Sequence, residues 1–198
     1  ERKLGYSTCT WMLNSSEYGL PQTRRRVYIL GFLDKSMKNK VSLLTRNNSK
    51  KKLTTWHILE KRVDPKYYLS EKILKTILSN GSGKFKSKSE INPLIARPLT
   101  ATMHKLHRAC QDNYFSDNFI QGHFNDKENR VILNNSVGNS IRRITPLEAF
   151  RLQGYPDEFV MNAQKNGISD TQLYRQAGNS ITTTVVNKIL VNILNSLN

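Results

Sequence analysis

Apolar residues crowd the start of this chain and thin out sharply after it. Val27-Tyr-Ile-Leu-Gly-Phe-Leu33 is rich in strand formers and almost unbroken. Such a run predicts a strand buried on both faces, because a half-exposed strand would alternate. A strand of that kind needs neighbours, and the chain offers few others of its type. The first 33 residues therefore read as elements of a larger sheet. From about Asp34 the pattern turns polar and lysine-rich, through Lys50-Lys-Lys52 and the loop Asn80-Gly-Ser-Gly-Lys-Phe-Lys-Ser-Lys88. A domain boundary is expected there. Ser70 to Leu78 predicts a short amphipathic helix with Ile73, Leu74, Ile77 and Leu78 on one face, Ser70 as cap and Asn80-Gly81 as stop. Pro98 to Val137 has no clean period and reads as loops and short strands.

Helical signals return near the end. Thr145-Pro-Leu-Glu148 is a capping box with proline at the first helical position, so a helix should start there and stop at Gly154. A second helix should follow Gly178-Asn179-Ser180, capped by Ser180. Its stripe is Val185, Val186, Ile189, Leu190, Ile193, Leu194 and Leu197.

Charge then narrows the partners. The 31 Lys and Arg against 15 Asp and Glu give +16, and the pI is about 10.0. Such a surplus attracts phosphate and predicts binding that weakens steeply with salt. A soluble basic protein or an RNA binder would show the same balance. At 198 residues the chain can hold one domain or two small ones. Two cysteines make no disulfide framework, and neither a signal peptide nor an apolar run of membrane length is present. A reducing, intracellular setting is the expectation.

Three blocks make the reading specific. Pro21-Gln-Thr-Arg-Arg-Arg-Val27, Arg142-Arg-Ile-Thr-Pro-Leu-Glu-Ala-Phe-Arg-Leu-Gln-Gly-Tyr-Pro156 and Gln176-Ala-Gly-Asn-Ser180 occur in that order. They resemble the last three motif blocks of the DNA (cytosine-5) methyltransferases, of the bacterial restriction–modification type. The chain is similar to the C-terminal part of such an enzyme. No Pro-Cys nucleophile motif, Glu-Asn-Val motif or Gly-rich loop after a first strand occurs in it.

The resemblance implies an α/β fold. It would consist of C-terminal strands and a helix of a Rossmann-like methyltransferase domain, plus a small, mostly β/loop target-recognition domain. The expected division is residues 1–34 as catalytic-domain strands, 35–165 as recognition domain and 166–198 as the helix closing the cofactor site. It also implies a cytoplasmic, nucleoid-associated bacterial protein whose partners are double-stranded DNA and an N-terminal methyltransferase portion or subunit.

Methylating cytosine at C5 requires the base to leave the duplex and enter a pocket. By resemblance Arg26 would hold the O2 carbonyl, Arg24 would organise the pocket, and Gln22 would orient nearby backbone. The planar fork of arginine suits this better than lysine. Gln176, Gly178, Asn179 and Ser180 would form the edge of an S-adenosylmethionine site whose larger share lies outside this chain. Glycine there would let a backbone turn opening a helix approach the ligand. Glu148, Arg151 and Gln153 would be buried polar groups holding the recognition domain together.

Sequence reading should lie between the first two blocks. Arg97-Pro-Leu-Thr-Ala101 resembles the family's Thr-Leu element, with Leu99 and Thr100 in register or one residue off and proline in place of threonine. Beyond it come His104, Lys105, His107, Arg108, Gln111, Asp112 and Asn113, side chains able to pair with base edges. Arg108 and Gln111 are the candidates for bases; Lys84, Lys86 and Lys88 are those for phosphate. Cys110-Gln111 follows the arginine block and lacks a preceding proline, so Cys110, like Cys9, reads as a packed or surface thiol. His104, His107 and Cys110, with His123 at a distance, lack the paired spacing of a structural zinc site, and no metal is expected.

Three readings stay open: a piece or subunit of a two-part methyltransferase, an inactive remnant, or a DNA-binding module without catalysis. The start at Glu1 in place of a methionine fits a fragment or processed product. The apolar strand and terminal helix argue against the binding module, because each lacks the sheet it should pack on.

Overall fold

The computed structural model describes residues 4–41, 53–79, 81–82, 85–86, 90–105, 107–108, 110–122 and 140–197. In chain order the elements are β1 (Ser7–Asn14), β2 (Arg25–Phe32), α1 (Met37–Lys40), α2 (Glu71–Leu78), β3 (Gly81–Ser82), β4 (Phe85–Lys86), β5 (Tyr114–Ser116), α3 (Asp117–Ile120), β6 (Ile141–Arg143), α4 (Pro146–Arg151), α5 (Asp157–Lys165), α6 (Asp170–Asn179) and α7 (Thr183–Asn195). Among the described residues the strands form three two-stranded antiparallel sheets, β1–β2, β3–β4 and β5–β6. No described helix is long and apolar enough to cross a membrane.

The β1–β2 pair corrects the expectation of a strand buried on both faces. Its register sets Met12 opposite Val27 and Thr10 opposite Ile29. Met12, Val27 and Ile29 are 71%, 55% and 68% exposed. The opposite face is covered. Trp11, Leu13 and Tyr18 pack there with Met37, Val41 and, from α7, Val185 and Ile189. Strand side chains alternate between faces, so a single layer of helix covers only one of them.

The main core joins residues distant in sequence, including Leu59, Phe115, Ile144, Phe150, Val160, Leu173 and Ala177. Helices α4, α5 and α6 therefore stack on a scaffold that includes the segment around Ala96 and Leu99. A smaller cluster sets Ile77 of α2 against Tyr114 and Ile141 of the β5–β6 pair. The periodicity placed α2 well, although the Ser70 side chain makes no capping bond and Ser79 turns extended where the helix stops. Asn80 lies outside the described residues.

The capping box at α4 forms in both directions, between Thr145 and Glu148. Gly154, at φ +83°, ends that segment. Two helices, α5 and α6, occupy the stretch where the periodicity had marked none. Their start signals are local: Asp157-Glu158 in the first turn of α5, and a Ser169–Gln172 capping box for α6. The Ser180 cap is also corrected. Ser180 closes α6, donating its hydroxyl to the Ala177 carbonyl at 2.8 Å, and α7 begins at Thr183 after Thr182.

Candidate DNA-recognition surface and cofactor edge

The site begins where the chain enters β2. Ser15 donates its hydroxyl to the Gln22 carbonyl at 2.5 Å. Ala96 and Pro21, then Thr23 and Ala96, exchange main-chain hydrogen bonds of 2.7 and 2.9 Å. These fix the strand entry against the segment that leads to Leu99. Gln22 is fully buried; its amide donates to the Leu152 carbonyl at 3.4 Å, and its Oε1 has no partner among the described residues.

The two arginines expected to form a pocket have separate environments. Arg24 is 5% exposed. Its Nη1 donates to the Leu99 carbonyl at 3.1 Å, and its Nη2 donates to the carbonyls of Gly178 and Ser180 at 3.1 and 2.9 Å. Burial and then the charge of Arg26 push its pKa below the ordinary arginine value. Arg26 is exposed; its Nη1 donates to the Arg25 carbonyl at 2.7 Å. One cation is thus committed to carbonyls, and its neighbour two residues on is exposed.

The segment after Leu99 is a clasped loop. Arg97 and Asn113 bond twice, through the Arg97 amide (2.8 Å) and the Arg97 carbonyl (3.2 Å). Arg108 donates its main-chain amide to Asp112 at 2.9 Å and its Nη2 to Asp112 and Thr100 at 3.2 and 2.8 Å. Burial raises the Asp112 pKa, against the pull of those Arg108 donors. Burial and then Arg143 lower that of His107, whose ring lies 6.2 Å from that of Tyr114.

The expected base readers therefore divide. Leu99 is buried, and Thr100 and Arg108 are tied to each other. His104 is half-buried, and Lys105 and Gln111 are exposed. Lys86 lies in β4, with its side chain outside the described residues, as are Lys84, Lys88 and His123. No group of three metal-ligating side chains occurs among the described residues.

The last turn of α6 carries the third block. Gln172, Arg175, Gln176, Asn179 and Ser180 line an open cleft, with Gln176 and Asn179 exposed. Gly178 departs from the expectation. It sits inside α6 and not in a turn opening a helix, and it is buried. A Cβ there would overlap the carbonyl carbon and oxygen of Thr100 and the amide nitrogen of Ala101. The missing side chain makes room for protein backbone.

The middle block is the support. Arg142 and Glu148, 1% and 0% exposed at the side chain, pair bidentately at 2.9 and 2.7 Å. The Glu148 carboxylate also accepts from the amides of Thr145 (2.8 Å) and Glu60 (2.7 Å). Arg142 is held above its ordinary pKa by Glu148 despite its burial. Gln153 is fully buried and accepts from the Thr182 hydroxyl at 3.2 Å, with Nε2 unpartnered among the described residues. Arg151 is half-buried, not buried; it grips Asp157 at 2.7 and 2.5 Å and the Ile58 carbonyl at 2.9 Å. The Arg142 and Asp157 pairings and the Arg97–Asn113 clasp were not foreseen. Their partners carry no periodic signal, although Glu148 within a capping box did.

Residues 1–195 match the family described as C-5 cytosine-specific DNA methylase. The Type II methyltransferase M.SsoII of Shigella sonnei is 32% identical over 195 residues, covering 98% of this chain and 46% of that protein. The Type II methyltransferase M1.ScrFI of Lactococcus lactis subsp. cremoris is 30% identical over 195 residues, covering 98% and 45%. The chain thus spans about half the length of these curated relatives. Among solved structures, the Entamoeba histolytica methyltransferase EhMeth superposes with a TM-score of 0.71 at 19% identity, over 100% of this chain and 56% of that one. The S. pombe Dnmt2 methyltransferase gives 0.66 at 19%, over 100% and 61%. These two likenesses establish a mixed α/β methyltransferase fold. By the match of nearly its whole length, the chain belongs to the C-5 cytosine-specific DNA methylase family.

Proposed function

We propose that the chain is the C-terminal, DNA-recognising portion of a DNA (cytosine-5) methyltransferase, acting with an N-terminal portion that carries the catalytic cysteine. The observation that carries this reading is the convergence of its motifs. The arginine block, the Leu99–Thr100 element and the Gly178–Ser180 turn all meet at one guanidinium, that of Arg24. Within that reading, residues 1–34 and 166–198 serve the catalytic domain and 35–165 the recognition domain, with α6 sharing the core of the middle unit.

Within this reading Arg26 would act on a flipped cytosine. Its exposed guanidinium would donate to O2 and stabilise negative charge there as the ring is attacked at C6 by the thiolate supplied from the other portion. Arg24 would hold the strand at the correct height by its bonds to carbonyls. S-adenosylmethionine, when bound, supplies the electrophilic methyl group. The cleft fits an edge of it: the exposed amides of Gln176 and Asn179 and the Ser180 hydroxyl offer donors and acceptors for a charged, hydroxyl-bearing ligand. Lys105 and Gln111 are the exposed candidates for duplex contact. Such an enzyme would work in the cytoplasm on nucleoid DNA.

The test is methyl incorporation into duplex DNA from labelled S-adenosylmethionine. Activity is expected only when a portion carrying the nucleophile and Gly-rich loop is added, and Arg26→Ala should abolish it. Activity from this chain alone would overturn the reading, because no residue here fills the nucleophile's place.

A further inference from the structure

The partners of Arg24 are unusual for a buried cation. All three are main-chain carbonyls, and they belong to two segments remote from the strand and from each other: Leu99 on one side, Gly178 and Ser180 on the other. Two of them lie at the C-terminal end of α6, where the helix dipole favours a positive charge. Beside this bridge the same two segments touch directly. Gly178 is packed so closely on Thr100 and Ala101 that even a methyl group would not fit. From Thr100 the connection continues through its hydroxyl to Arg108, and from Arg108 to Asp112.

We infer that Arg24 is a positioning residue that joins the recognition loop to the cofactor edge, so that duplex DNA and S-adenosylmethionine bind with positive linkage through it. The inference rests on the function proposed above. The physical route is shared order. Leu99, Thr100, Arg108 and Asp112 on one side and Gly178 and Ser180 on the other are tied together by these contacts, so a ligand that immobilises one segment leaves less conformational entropy for the second ligand to remove. Linkage of this kind is reciprocal and requires no movement between two shapes.

The experiment uses the methyltransferase assembled from this chain and the nucleophile-carrying portion. Calorimetry gives the affinity for S-adenosylhomocysteine, with and without a saturating duplex selected for tight binding from a random-sequence pool. The unmodified enzyme should bind S-adenosylhomocysteine on the order of tenfold more tightly with duplex present, within the usual span of such couplings. Arg24→Lys should remove most of that factor, read as the ratio of the variant's own affinities with and without duplex, because a point ammonium cannot span carbonyls on both sides as a fork does. Gly178→Ala, which changes no charge, should do the same by forcing the two backbones apart. The double variant should lose no more than either single one, as expected for residues acting through one contact. Thermal melting checks that each variant is folded, and Gly178→Ala decides the matter if Arg24→Lys is not. Absence of linkage in the unmodified enzyme, or its survival in folded variants, overturns the inference. Normal methyl transfer with no linkage removes the inference alone. An assembled enzyme that binds neither ligand, or binds both and transfers no methyl, removes the proposed function and the inference with it.

Discussion

Arg142 and Glu148 show how a buried charged pair can support a fold from within. Both charges are sealed from water; the carboxylate accepts four hydrogen bonds, and the guanidinium donates four from its Nη1 and Nη2. Glu148→Gln would leave the Arg142 cation buried opposite a neutral amide. Breaking one half of such a pair costs about 3–5 kcal/mol, which urea unfolding would detect. Asp157 gives the pH-dependent case. Its hydrogen bonds from Arg151 hold its pKa below the ordinary carboxylate value. The pair therefore contributes stability above the ordinary carboxylate pKa, about 3.9, and loses it as pH falls through the lower folded value. Melting temperature followed from pH 5 down to pH 2 should show this loss, and Asp157→Asn should flatten it. Both sites stand partly in solvent, so the effect is modest. At this scale the sequence reading was uneven. Glu148 and Gln153 were foreseen as buried because they lie in a motif; the acceptors of Arg24 were invisible, since main-chain carbonyls leave no trace in residue identity.

Among the elements, α4 was legible because capping chemistry is local: Thr145, Pro146 and Glu148 lie within one turn. By contrast α5 and α6 show short and mixed apolar patterns, with Val160 and then Leu173, Tyr174 and Ala177 as their buried positions. Their faces are defined by the core they share, which the sequence does not display. The terminal helix was found, but its start was placed too early. Gly154 has a specific element-level role. It holds φ +83°, and a Cβ there would come within 2.5 Å of the Thr183 hydroxyl oxygen, which bonds the Gly154 carbonyl at 2.7 Å. Gly154→Ala therefore combines left-handed backbone strain with crowding at the junction of α4 and α7. A loss of about 2 kcal/mol or more is expected. Chemical denaturation would read it, and a stability equal to that of the unmodified chain would contradict this account.

For the molecule as a whole, charge and bare apolar surface make different predictions. A net +16 should make duplex binding strongly salt-dependent. If about five phosphates are neutralised, log affinity should fall against log salt with a slope of roughly −4 to −5. Filter binding or fluorescence anisotropy across 50–300 mM salt (a range of about sixfold) measures that slope, and a flat line would exclude phosphate contact. The exposed Met12, Val27 and Ile29 face of the β1–β2 pair, with Leu190 and Leu194 at 52% and 59% on α7, should bind a hydrophobic dye in the chain alone. That signal should drop when the nucleophile-carrying portion is added. Sequence hydrophobicity located this surface correctly but assigned it to burial, because it cannot tell which of its neighbours are present. The grip at Arg24 has one further consequence. Its contact with the loop, and those of Gly178, are made to the Leu99 carbonyl and to backbone atoms of Thr100 and Ala101, not to side chains. The exposed side chains of the loop, Lys105 and Gln111 among them, can then change while this anchor stays fixed. If this loop reads the target as proposed, exchanging its exposed Lys105 and Gln111 would graft new preferences onto the frame while the Arg24 hold, the Arg108–Asp112 pair and the Arg97–Asn113 clasp are inherited unchanged.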